Sequence, residues 1–472
     1  MFTTKDILAA TGAEFRHPEG EARFKTVFQN SKTKVESGLF IAICGHKFDG
    51  HIFLEEAFQN GAKAALIQKD KKDKISKNVL SKYPLFVVEN TLEALGQLAH
   101  YYRSQFSIPI LGITGSSGKT TTKDMISKVL SKKFKTHATQ GNFNNLIGLP
   151  FTIFNLNPTH EISVLEMGMS IPFEIRHLSE IARPTFGLVT NVGTSHLLTM
   201  NSIEDVAKAK TDLYRALPKE GTAFLNLDDP YLRKFCSTLK CKIVTYSMQD
   251  KKADFFGEII EDQGIRGQVI SVLSSPRSLS SPRKRGSHIK FHLNLLGRHN
   301  AMNALAAVTV ASTLGVSPKD IVSAMETLSP SKGRGEVIQL KNGSILIDDS
   351  YNANPDSMAS ALKVLKKNAN NMTTVAVLGD MLELGKEEVR YHTQIGEIIK
   401  ELGIDYVLTL GFLSQYYGKK AGANKSTRVF WAKDHPALIQ ELKTVLKNHR
   451  AVVLVKGSRG MALDRVVNEL VA

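Results

Sequence analysis

Residues 112 to 121 read GITGSSGKTT, with an apolar run, Ile108 to Leu111, before them and a helix-like stretch, Thr121 to Leu130, after them. A strand that turns through glycines into a helix aims several backbone N–H groups, and the positive end of the helix dipole, at one small volume. Phosphate is the ligand such a volume binds. Lys119 adds a point charge for terminal phosphates, and the Thr120 hydroxyl suits Mg²⁺. The run Gly115, Ser116, Ser117, Gly118, Lys119, Thr120 and Thr121 is therefore a candidate nucleotide triphosphate cradle. The general P-loop spacing would place glycine at 113; Ile113 stands there, with Gly112 and Gly115 on either side.

Other chemistry-bearing residues end short apolar runs. Glu166 closes Ser163-Val164-Leu165, and His196 follows Asn191-Val192-Gly193-Thr194-Ser195. A carboxylate at a strand end beside a P-loop is the expected hard-oxygen ligand for Mg²⁺, although it could equally cap a helix. A lone histidine is more often structural, and only the shared context raises His196 above that. Ser202 to Leu217 is amphipathic and carries Lys208 and Lys210, which lie about 200° apart on a helix, so at most one faces a site. The residues alone do not choose between them. In the last third, Asp348 to Asp356 and Lys456 to Gly460 each follow a strand-like run and read either as a site or as a tight turn with a helix cap.

These residues require a framework of alternating strands and helices. Apolar runs at Gly38 to Cys44, Ala64 to Gln68 and Pro84 to Glu89 alternate with helical segments and predict a small α/β unit over residues 1–103. Residues 104–328 predict a mainly parallel sheet around the P-loop, with ligands at the strand ends. The stretch Ser329 to Gly335, SPSKGRG, reads as a linker, and residues 329–472 predict a Rossmann-like doubly wound unit. The fold class is α/β in three domains.

A chain of 472 residues exceeds one hydrophobic core, and 22% charged residues suit a globular protein in water. The three cysteines have no metal-like spacing, which fits a reducing cytoplasm. No apolar run reaches the length of a membrane span, and no basic segment leads into an apolar one at the N-terminus. A cytoplasmic monomer is expected. The net charge of +16 admits nucleic acid, a membrane surface or a polyanionic small substrate as partner. Part of it sits in SSPRSLSSPRKRGSHIK, which ends at Lys290 and has no acid and no interleaved aromatic residue. That composition predicts a solvated insertion rather than a nucleic-acid arm.

Taken together, the motifs closely resemble the Mur ligase family along the whole chain. The resemblance rests on NSKTKVESGLFIAICGHKFDGHIF, GITGSSGKTTTKDM, GNFNNLIGLP, LEMGMS, TNVGTSHL, KAKTDLY, LGRHNAMNALAA, DDSYNANPDSM, LGDMLELG and VKGSRG, in family order. The shifted first glycine is the family's form of the P-loop. GNFNNLIGLP with YNANP points to the branch that joins D-alanyl-D-alanine to UDP-N-acetylmuramoyl-tripeptide in peptidoglycan precursor synthesis. The resemblance implies ATP and two Mg²⁺ ions, with Lys119, His196, Lys210 and Arg334 in the catalytic machinery and Thr120, Glu166, His196 and Lys210 around the metals. It implies a carbamylated Lys210. Asn300, Arg334 and Asp349 would join the P-loop in holding ATP. Ser31, Lys47, Asn142, Asn144, Asn145, Asn352 and Asn354 would face substrate. Asn30-Ser31-Lys32 departs from the family's usual Asp-Ser-Arg, and Lys47 stands where arginine is common; lysine does not reproduce a bidentate arginine contact. Two rivals stay open: a ligase of the same fold with another acceptor, and a basic P-loop protein that binds nucleic acid.

Overall fold

The computed structural model describes residues 1–16, 21–45, 48–275, 288–422 and 426–471. The chain forms two compact units. One comprises Met1–Gly112, Lys135–Gly168 and Phe173–Thr185; the other comprises Ile113–Phe134, Met169–Pro172 and Phe186–Ala472.

In the first unit a five-stranded sheet runs in the order Glu14–Arg16, Leu85–Val88, Ala62–Gln68, Gly38–Ile41, Thr26–Phe28. The outermost pair is antiparallel and the other three pairings are parallel. Gly38–Ile41 and Leu85–Val88 are buried at every position, which is why they read as continuous apolar runs. A parallel pair, Thr136–Ala138 with Ile162–Glu166, belongs to the same unit and carries Glu166 at its end.

In the second unit the strands Phe186–Val189, Thr222–Asn226, Lys242–Ser247, Phe255–Asp262, Gln268–Ser274 and His288–Leu293 are successive neighbours. The first four are parallel, and the last two add antiparallel pairings. This antiparallel end extends the mainly parallel sheet that the sequence predicts. Its outer strand alternates exposed and buried residues from His288 to Leu293, the pattern of a sheet with one solvated face. Lys290 lies there, exposed; the rest of the basic insertion, 276–287, lies outside the described residues.

The C-terminal part of this unit is a six-stranded sheet in the order Glu336–Gln339, Ile345–Asp348, Ala451–Lys456, Thr373–Gly379, Tyr406–Leu410, Arg428–Ala432. All pairings after the first are parallel. Alternate residues divide between two cores: Ile345, Ile347, Ala376, Leu378, Val452 and Leu454 enter one, while Leu346, Val375, Val377, Val453 and Val455 enter the other. Both faces of the central strands are covered because side chains alternate sides along a strand and these positions are apolar on both. Each buried Val, Leu or Ile contributes about 1.5–3 kcal/mol, so this sheet is a rigid platform for the polar residues at its strand ends. The Rossmann-like expectation for this segment holds.

Candidate active site

The P-loop begins where the strand Ile110–Thr114 ends, and the helix Lys119–Leu130 follows it. Gly115 has φ +149°, and a Cβ there would lie 1.9 Å from Thr190 Oγ1. Gly118, the helix N-cap, has φ +77° and would place a Cβ 2.6 Å from Asn303 Oδ1. Glycine is required at both positions by backbone conformation and by space. The loop is sewn to residues 190–193. Ser116 N–H donates to Asn191 O at 3.0 Å and Ser117 N–H to Asn191 Oδ1 at 2.9 Å. Thr190 Oγ1 and Asn191 Nδ2 donate to Ser117 O, and Gly193 N–H donates to Ser116 Oγ. Asn226 and Asp229, at the next strand end, hold this segment in turn, through Thr190 O and Val192 N–H. Burial raises the Asp229 carboxyl above its ordinary value.

Lys119 Nζ donates to Gly115 O at 2.8 Å, and Lys210 Nζ donates to the same oxygen at 3.1 Å. Lys210 is 1% exposed on the helix Ile203–Arg215, whereas the Lys208 side chain is 73% exposed. The structure thus makes the choice that helix geometry left open. Desolvation, with the neighbouring Lys119 charge adding to it, pushes the Lys210 amine well below the usual lysine range. His196 sits at φ +60° and its Nδ1 lies 3.0 Å from Glu383 Oε2. Burial, reinforced by Lys210 and Lys119, lowers the imidazole against the opposing pull of Glu383.

Residues far along the chain reach the same loop. Arg334 Nη2 donates to Thr120 Oγ1 at 3.1 Å, and its guanidinium lies 4.1 Å from the Tyr351 ring centroid. Asn354 caps the helix Pro355–Lys367 through Oδ1, and its Nδ2 donates to Ser117 Oγ at 3.0 Å. Asp356 accepts from Thr194 N–H and Oγ1. Asp349 pairs with the buried Lys456 at 2.6 Å, and Lys456 also donates to Asn352 O. Asn352 itself is exposed. Asn300 is buried, donates to Leu296 O and accepts from Asn303, which is how it connects to Gly118.

The remaining candidates lie in the first unit. Glu166 is 2% exposed and accepts from Asn144 Nδ2 at 2.8 Å, while its N–H donates to Thr139 Oγ1. Asn145 Oδ1 accepts from the N–H groups of Ile147 and Gly148 at the start of the helix Gly148–Ile153. Asn142 is exposed. Two of these three asparagines therefore have work within the chain as well as the substrate role expected of them. Ser31 is buried and its hydroxyl donates to Glu56. Lys47 lies outside the described residues.

Among the described residues no three His, Cys, Asp or Glu side chains converge as a metal cage. A magnesium ion here would take most of its oxygens from triphosphate and water, which is how Mg²⁺ is usually held. The donors within the second unit fit that: a hydroxyl at Thr120, an imidazole at His196 whose Nδ1 is already engaged, and the buried amine of Lys210. Sequence reading assigned no role to Glu383 or Asn303, and singled out Asp356 and Lys456 only as members of two polar stretches. Glu383 lies in LGDMLELG and Lys456 in VKGSRG, so the signal was present in the polar residues after two strands, but their partners are more than a hundred residues away.

Fold and loop together define a P-loop nucleotide-binding enzyme with a Rossmann-like unit engaged on the P-loop. The chain belongs to the Mur ligase family. The family models described as Mur ligase catalytic domain, middle domain and glutamate ligase domain match residues 30–103, 113–311 and 333–459. The UDP-N-acetylmuramoyl-tripeptide--D-alanyl-D-alanine ligase of Bacillus subtilis is 33% identical over 471 residues, covering 99% of this chain and 98% of its own. That of Escherichia coli is 35% identical over 434 residues, covering 92% and 90%. The crystal structure of MurF from Acinetobacter baumannii superposes with a TM-score of 0.86 at 29% identity, over 100% of this chain and 98% of that one. MurF from Thermotoga maritima in complex with ADP gives 0.79 at 28% identity, over 94% and 96%. No helix of the described residues is long and apolar enough to cross a membrane.

Proposed function

We propose that this chain joins D-alanyl-D-alanine to UDP-N-acetylmuramoyl-tripeptide at the expense of ATP. The observation that carries this reading is the end-to-end likeness to ligases of that name, at about a third identity and without large gaps in coverage. The three segments, 1–103, 104–328 and 329–472, bind the UDP end of the substrate, the nucleotide, and the dipeptide respectively. The enzyme works as a cytoplasmic monomer.

The tripeptide's terminal carboxylate attacks the γ-phosphorus of ATP, the bond to the β–γ bridging oxygen breaks, and ADP leaves. The free amine of D-alanyl-D-alanine then attacks the acyl carbon, loses a proton and expels phosphate. Lys119 and the helix N-terminus at Gly118 hold the phosphates, and Arg334, already on Thr120, stabilises charge on the moving phosphoryl group. Thr120, Glu166, His196 and a modified Lys210 are the residues that would hold Mg²⁺, which would supply charge offsetting the repulsion between carboxylate and triphosphate. Asn300, through Asn303, and Asp349, through Lys456, support the nucleotide's base and ribose. Asn142, Asn144 and Asn145 serve the muramoyl peptide, Ser31 and Lys47 the UDP end, and Asn352 and Asn354 the dipeptide.

Lys210 supports the carbamylation reading by its environment. The buried Lys210 amine, in its neutral form, attacks CO₂, forms an N–C bond and releases one proton, becoming an anion beside Lys119. That sets an anion beside the Lys119 charge, where the ammonium form of the same amine would be repelled.

The test is phosphate release from ATP and Mg²⁺ with the UDP-tripeptide, with and without D-alanyl-D-alanine, and product identification by mass. Release that needs both substrates and yields the pentapeptide supports the reading. Hydrolysis indifferent to both overturns it at the level of substrate.

A further inference from the structure

His196 and Glu383 are 187 residues apart in sequence, and both adopt left-handed backbone without being glycine, at φ +60° and +66°. Such conformations cost on the order of 1 kcal/mol each and persist only where surrounding structure holds them. The 380–385 loop is held closely. Asp380 is buried and accepts from the N–H groups of Leu413 and Ser414. Met381 N–H donates to Nε2 of the buried His392, whose Nδ1 is bonded to Glu388 O. Leu382 N–H donates to Ser458 Oγ. Each residue leading to Glu383 is thus tied to a different helix or loop of the C-terminal part, and Glu383 is presented from a fixed base. Its carbonyl then accepts from Leu198 N–H at 3.1 Å, beside Gly385, where a Cβ would come within 3.0 Å of Leu198 Cα. Backbone contact, side-chain contact and two strained residues coincide on one pair of loops.

An ionised carboxylate only accepts hydrogen bonds, so its 3.0 Å contact with the imidazole requires the proton on Nδ1. We propose that Glu383 is a positioning residue for His196: it selects the Nδ1–H tautomer and leaves Nε2 as the lone-pair nitrogen facing away from the pair. The consequence rests on the reading of His196 as a Mg²⁺ ligand, because a ligating histidine is oriented by a partner for its other ring nitrogen. The C-terminal segment therefore completes the histidine as a ligand as well as bringing substrate, and ion binding is coupled to docking of the 380–385 loop.

Full-length protein labelled with ¹⁵N-histidine reports the tautomer directly, with His196 assigned by comparison with His196→Gln. We expect Nδ1–H in the parent and in Glu383→Gln, whose amide oxygen still accepts, and a move toward Nε2–H in Glu383→Ala. Glu383→Ser is the second truncation, at a side chain more than half exposed. The Mg²⁺ concentration for half-maximal turnover should rise about 10- to 100-fold in the truncations and change little in Glu383→Gln. His196 retaining Nδ1–H in both truncations overturns the proposal. If the tautomer moves and the Mg²⁺ requirement does not, the positioning role stands and the ligand role of His196 falls.

Discussion

Lys119 and Lys210 donate to one acceptor, the carbonyl oxygen of Gly115, at 2.8 and 3.1 Å. Two ammonium groups on one neutral oxygen in a buried site would repel strongly, and the more deeply buried one, Lys210, gives up its proton first. A helix of otherwise ordinary composition thereby acquires a reactive amine beside the phosphate cradle.

Replacing Lys210 with methionine should separate stability from function. Burial lowers the Lys210 amine in the folded chain relative to the unfolded one, so the lysine weakens folding at pH below its unfolded value and the apolar variant lacks that penalty. We expect an unchanged or higher melting temperature in CO₂-depleted buffer together with a loss of turnover on the order of 1,000-fold. A variant that melts early would show that Lys210 supports the fold instead.

Gly115→Ala should fail for a backbone reason. Its Cβ would lie 1.9 Å from Thr190 Oγ1 at a φ of +149°, so the loop must move away from residues 190–193. We expect a loss of about 1–3 kcal/mol of stability and of detectable ADP binding, read by thermal denaturation and calorimetry.

Arg334 touches both Thr120 and the Tyr351 ring. Arg334→Ala should lower kcat about 100- to 1,000-fold with a small effect on stability. Arg334→Lys should recover little, since an ammonium cannot reproduce a planar group that stacks and donates at once.

Acid should loosen the first unit through His137. This imidazole is buried against Ser163 Oγ and near the His160 ring, and burial lowers it from 6.5 to about 4. The unfolded chain takes up the proton first, so stability falls as pH drops from about 6.5 and the loss levels off below about 4. The full effect is about 3 kcal/mol. Denaturant unfolding of His137→Gln should show a flatter pH dependence across that window.

The P-loop was legible because its chemistry is local: Gly115, Gly118, Lys119 and Thr120 lie within six residues, and strand, turn and helix follow from their neighbours. The strand closed by Glu166 was likewise readable, because a continuous apolar run bounded by polar residues has little alternative. The antiparallel strands from Phe255 to Leu293 were harder to see, since alternation on an edge is weak and the basic insertion interrupts it. Asn144 and Asn145 were expected near substrate from the family resemblance alone, and the bonds to Glu166 and to the helix at Gly148 emerge only in three dimensions.

What the sequence determined by itself was the class of chemistry and the family, because both reside in short runs whose order along the chain is enough to recognise. The tertiary structure decided between Lys208 and Lys210, brought Arg334 to Thr120 and Asn354 to Ser117, and joined Glu383 to His196. Those choices depend on burial and on contacts between segments separated by 95 to 237 positions. Desolvation and hydrogen bonding act on distance in space, and no pattern of neighbours along the chain encodes it.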